Sequence, residues 1–161
     1  MSQKFELFVE QAKGLAGLTP ELERCLQDIA PVILPRLEPV TDAFYTQLTS
    51  IPVTANFLQG CNITVSALKQ THARWLYTLF TQKIDMEFAH SMAKVGDTHV
   101  NIQLPLSFMA GAMNLINKEL IVLVVTQFGD NPTNCIKALQ AINAVTSFCL
   151  IIMQQSYQLW E

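Results

Sequence analysis

The chain of 161 residues is half apolar and only 14% charged, with a formal net charge of −3 and a pI near 5.6. That balance excludes a disordered chain, and without a basic patch interleaved with aromatics it argues against a nucleic-acid partner. A chain of this length fits one domain, 1–161, around a single sizeable core.

No uninterrupted apolar run approaches the roughly 18 residues of a membrane span; LIVLVV at 120–125 and FCLIIM at 148–153 are short. The N-terminus, MSQKFELFVEQ, lacks a basic segment followed by an apolar core, so no signal peptide is expected. Cys25, Cys61, Cys135 and Cys149 stand far apart, without C-x-x-C or zinc-ligand spacing. They read as free thiols in a reducing, cytoplasmic setting.

In chain order, 4–16 predicts a short amphipathic helix packed outside the main core. Thr19-Pro20-Glu21 is a helix start, with Thr19 as N-cap, Pro20 at the first helical position and acids in the first turn. That helix is expected to run to about Ala30, with Pro31, Pro35 and Pro39 interrupting or kinking the chain. The next helix takes its inner stripe from Leu37, Val40, Phe44 and Leu48. Tyr45 lies beside that stripe, its ring buried and its hydroxyl reaching a pocket. Ser50-Ile51-Pro52-Val53 then breaks the helix, and Phe57-Leu58 is expected in a short turn before Gly60.

Two helices follow, about 62–82 and 85–101, with Asp85 capping the second. In the first, Val65, Leu68, His72, Trp75, Leu76 and Leu79 recur at steps of three and four. In the second, Ile84, Phe88, Met92, Val95, His99 and Ile102 repeat the spacing. His72 and His99 thus point where leucine is expected. Each can be a core histidine bonded to a carbonyl, or the two together can be what a buried haem iron needs. Gly96, one turn before His99, removes bulk for a flat group or for close helix packing. His90 lies off the stripe, toward solvent.

Beyond Leu104-Pro105 only Lys118, Glu119, Asp130, Lys137 and Glu161 are charged. The region reads as two helices, about 105–128 and 131–160, too apolar around their circumference for an ordinary solvent face. Their expected cover is the same pair from a second copy, a homodimer through a four-helix bundle. The alternative is a docking surface for a C-terminal domain. Trp75 and Trp160 are candidates for packing or dimer contacts.

The stretch LKQTHARWLYTLFTQKIDMEFAHSMAKVGDTHVNIQLP resembles the globin domain of the globin-coupled sensors, the family of the bacterial aerotaxis transducers. The resemblance rests on LKQT, on LF before an Ile-Asp-x-x-Phe helix start, on VGDTHVNI before Leu-Pro, and upstream on FYTQL at 44–48. It implies an all-α, three-over-three globin fold with an extra N-terminal helix. It implies His99 as the proximal iron ligand and Tyr45 as the distal hydroxyl that hydrogen-bonds a diatomic ligand or a water.

The position of His72 is commonly apolar in the family, so this chain departs there. The imidazole is either a second iron ligand, a distal hydrogen-bond donor or an uninvolved pocket residue. Leu68 would fill the distal pocket, and Phe57 and Phe108 would touch the ring, with plain core packing as the competing role. With no C-x-x-C-H, the haem would be haem b, held by its ligands and the pocket walls.

The function implied is sensing of O2, CO, NO or redox state by a domain that is not itself an enzyme. The signal would pass through the dimer helices to a possible C-terminal output domain, of which this chain shows no folded region. Two alternatives are a haem enzyme consuming nitric oxide or peroxide and a haem-free globin-fold interaction module.

Overall fold

The computed structural model describes residues 2–158. Eight α-helices account for most of them: α1 (Gln3–Ala16), α2 (Pro20–Ile33), α3 (Leu37–Ser50), α4 (Pro52–Gly60), α5 (Val65–Thr81), α6 (Met86–Asn101), α7 (Leu106–Phe128) and α8 (Pro132–Gln158). A single 3-10 turn, Leu34–Arg36, joins α2 to α3.

The predicted starts are made by the expected atoms. The Leu22 amide donates to Thr19 Oγ1 at 3.3 Å, and the Phe88 amide donates to Asp85 Oδ1 at 3.1 Å. Thr64 caps α5 in the same way, accepting from Ala67 N at 3.1 Å. Each bond satisfies one of the donors that a helix leaves open at its N-terminus.

The helices stack as α2, α5 and α6 over α3, α7 and α8, with α8 packed on α1, α2, α6 and α7. This is the three-over-three globin arrangement. Ala138, Ala141, Val145, Phe148, Cys149 and Ile152 make α8 the centre of the core. Their alternation of small and large side chains lets neighbouring helices approach closely. Phe88 of α6 stacks on Phe148 with ring centroids 6.4 Å apart.

The fold differs from the sequence expectations at four places. First, α1 packs on α8 and α6 and puts Val9 and Ala12 into the core. It is also tied down by Lys13, whose Nζ donates to Glu23 and to the Ile84 carbonyl at 2.6 Å. Second, α2 runs through Pro31 to Ile33. Pro31 faces solvent while Ile29, Ala30 and Ile33 are buried around it, so packing of the last turn outweighs one lost amide bond.

Third, 52–60 is a helix, not a break and a turn. Pro52 occupies the first helical position, where its missing N–H is no loss. Fourth, His90 is half-buried against Phe5, with ring centroids 4.5 Å apart. Trp160 lies outside the described residues.

α7 and α8 are long and apolar enough to cross a membrane by length and composition alone. Neither holds a long uninterrupted apolar run, because isolated polar residues punctuate both. In the fold α8 is the buried core helix, whereas α7 leaves Ile121, Val122 and Val125 exposed along one side.

Candidate functional site

Between α5 and α6, roofed by α3, α4 and α7, lies a cavity of about 680 Å³, within the range of small-molecule and cofactor pockets. Among the described residues no charged side chain lines it. Tyr45, Phe57, Leu68, His72, His99 and Phe108, which the sequence singled out separately, all border this one space.

The two stripes explain how the cavity arises. Their ends nearest the α5–α6 junction pack into the core through Leu76, Leu79, Ile84, Phe88 and Met92. At their far ends, Val95 of α6, Ile102 just past its C-terminus and Leu68 of α5 line the cavity, and Val95 and Ile102 remain solvent-exposed. Apolar surface is thus left facing an apolar space, which favours an apolar occupant.

His72 is held on three sides. Its ring stacks on Phe44 with centroids 4.6 Å apart and planes 14° from parallel, and it meets Tyr45 edge-on at 5.8 Å. Its Nδ1 lies 3.0 Å from Thr41 Oγ1. Its Nε2 is buried and, among the described residues, is the one such side-chain atom without a hydrogen-bond partner. An orphaned buried nitrogen is costly, and a native fold tends to keep one for a ligand. Burial also pushes the imidazole pKa down to about 4, so the ring is neutral.

His99 sits in the last turn of α6, its Nδ1 3.3 Å from the Met109 sulfur. Burial lowers its pKa as well. The chain around it is fixed by a tight helix end. Leu104 N donates to the His99 carbonyl at 2.9 Å while Gln103 takes a left-handed backbone, φ 58°. Glycine usually fills that role. Tyr157 of α8 then donates its hydroxyl to the Leu104 carbonyl at 2.8 Å.

Gly96 serves close helix packing and not a flat group. A Cβ there would stand 2.7 Å from the Met153 carbonyl oxygen and from Ser156 Oγ, both on α8. Tyr45 is buried, and burial alone raises its hydroxyl pKa to about 12, keeping it a donor. Phe57 and Phe108 meet edge to face at 6.1 Å.

Two neutral imidazoles are too few to hold a metal ion on their own. Among the described residues no group of three His, Cys, Asp or Glu stands together. A metal here has to arrive with most of its ligands already in place, in an apolar plate. That donor set fits haem, which needs axial nitrogen and oily walls.

The Protoglobin family model matches residues 6–159. The chain belongs to the Protoglobin family. Family membership implies a haem globin, and the fold is the one found in sensors. The globin domain of the Geobacter sulfurreducens globin-coupled sensor is similar over 92% of this chain and 97% of that one, with 28% identity and a TM-score of 0.83. The ferric globin domain of E. coli DosC shares the fold at 15% identity, with a TM-score of 0.73 over 92% of this chain and 99% of that one. Among curated proteins none matches the chain at a significant level.

Sequence reasoning missed two residues of this protoglobin site. Thr41 is four residues after Leu37 and three before Phe44, so the helical period that picked out its neighbours also turns it inward. Met109, the partner of His99, falls on a helix apolar all round, where periodicity carries no direction.

Proposed function

We propose that this protoglobin domain is a haem b sensor whose iron is held by His99 on α6 and His72 on α5. The observation that carries the reading is His72 Nε2, a neutral, unpartnered nitrogen bordering an uncharged cavity that His99 also lines. Bound haem would supply an iron centre that takes a diatomic gas, O2, CO or NO, or changes oxidation state.

The chain's own residues do the rest. His99 anchors the group through its ring nitrogen, with Met109 steadying the other edge. His72 would hold the group from α5 and would have to leave it before a gas bound, which would slow binding and suit a switch. Tyr45 keeps its proton and donates to the polar end of the gas. Leu68, Phe57 and Phe108 exclude water and shape the space.

Displacement at His99 has a short route to α8. α6 is seated on α8 at Gly96, and the His99 helix end is tied to Tyr157 through the Leu104 carbonyl. We place the receiving surface on α7 and α8, where Ile121, Val122, Val125 and Ile136 are exposed and suit a second copy of the chain. Signalling is then a shift between two packings of that helical dimer toward a possible C-terminal output domain. The four free cysteines suit a reducing cytoplasm. An interaction module without haem has no use for a cavity of about 680 Å³ between two inward histidines.

The experiment is absorption spectroscopy of the ferric and ferrous protein, with and without carbon monoxide, in wild type and His72→Leu. The expected result is a six-coordinate low-spin spectrum that becomes five-coordinate in the variant. A low-spin spectrum that survives His72→Leu removes His72 as a ligand, and absence of a Soret band in haem-supplemented protein removes haem altogether.

A further inference from the structure

Thr41 differs from five other threonines on helices. Thr46, Thr49, Thr71, Thr81 and Thr98 each turn the hydroxyl back onto the carbonyl four residues earlier. Thr41 is only 3% exposed, and its one side-chain hydrogen bond among the described residues is the 3.0 Å contact with His72 Nδ1. Its hydroxyl is therefore available to the imidazole.

We propose that Thr41 is the positioning residue of His72, fixing which ring nitrogen borders the cavity and serving the imidazole in both states through rotation of its hydroxyl. A hydroxyl has one donor and two acceptor sites. When His72 is off the iron, counting groups decides the tautomer. Thr41 donating to Nδ1 leaves one unpartnered group, Nε2–H; Thr41 accepting from Nδ1–H leaves two, the hydroxyl proton and the bare Nε2. So Nε2 carries the proton, as a donor toward the cavity.

When Nε2 binds a metal it needs its lone pair. The ring's single proton then resides on Nδ1, and the Thr41 hydroxyl turns to accept it. The ring keeps one proton in both states, a water molecule in the cavity taking the proton from Nε2 as one is returned at Nδ1. The Thr41 oxygen serves both tautomers by rotation of its hydroxyl. Stacking on Phe44 keeps the ring from flipping in either state. A partner that accepts from the remote nitrogen raises the basicity of a ligating imidazole, and losing one typically weakens metal binding by about 10–100-fold.

The inference rests on the haem reading above, and its test separates the two. Stopped-flow mixing of carbon monoxide with the ferrous haem-loaded protein reads how readily His72 yields. Thr41→Val, with Thr41→Ala as a second hydroxyl-free variant, is expected to bind carbon monoxide roughly tenfold faster or more. Thr41→Ser is expected to stay near wild type, because it keeps the hydroxyl. In a His72→Leu background, Thr41→Val is expected to change nothing.

The proposal is overturned by an unchanged rate in both hydroxyl-free variants, by Thr41→Ser matching Thr41→Val, or by the same acceleration without His72. A merely structural Thr41 gives the last of these. Wild type without a Soret band overturns the haem reading itself, before any comparison of variants.

Discussion

Gly96→Ala tests whether α6 and α8 are in the tight contact on which the account depends. The added Cβ would stand 2.7 Å from the Met153 carbonyl oxygen, 2.7 Å from Ser156 Oγ and 2.9 Å from Met153 Cα. Two of those three atoms are backbone and cannot swing aside. To restore ordinary contact near 3.4 Å the helices must separate by about 0.5–0.7 Å. The Ser156 Oγ bond to the Ala93 carbonyl, already 3.3 Å long, would be lost in doing so. Overpacking of this kind costs roughly 1–3 kcal/mol, and the lost bond adds about 1 kcal/mol. Alanine returns about 1 kcal/mol in helix propensity. The balance is a net loss of about 2 kcal/mol, or a fall in Tm of about 4–8 °C for a chain of this size. Urea and thermal unfolding followed by circular dichroism read it directly. A variant as stable as wild type, or more so, would mean that propensity wins and that α6 does not press on α8 at Gly96.

The other predictions concern pH and association. In the haem-free protein, burial lowers the His72 pKa from 6.5 to about 4, so between those values the unfolded chain binds more protons than the folded one. Stability is then full above about pH 6.5 and falls as the pH drops toward about 4, by about 3 kcal/mol from this residue. His99 acts in the same direction. Urea titrations across that range should show a shallower slope for His72→Leu, and an equal slope in both proteins would refute the assignment. On the surface, Val122→Glu and Val125→Glu should turn a dimer into a monomer in sedimentation velocity. Each should change the stability of the chain itself by no more than about 0.5 kcal/mol. A wild-type monomer, or a dimer indifferent to both charges, would count against α7 as the contact.

Much of the site was legible because helical periodicity works well where one face is apolar and the other is not. The stripes through His72 and His99 ended in the same cavity, and Thr19 and Asp85 capped the helices they were expected to cap. Where several residues competed for one role, the sequence could not choose. Pro52 breaks one helix and opens the next, with Ile51 extended between them and Pro52 at the first position of α4. Pro31 stays helical because the side chains around it are buried, a tertiary fact that no local preference contains. Gly96 suited a flat ligand or a helix contact equally well until Met153 and Ser156 were seen against it. Thr41 needed a partner 31 positions away to acquire meaning.

Haem titration into His99→Ala, compared with wild type and His72→Leu, tests the central claim most directly. Wild type should take up one haem and show a strong Soret band. His72→Leu should retain its haem with altered coordination, and His99→Ala should lose at least about tenfold in affinity and the spectrum of an imidazole-ligated iron. A His99→Ala protein with unchanged affinity and colour would show that α6 does not hold the iron, and the functional account would be wrong.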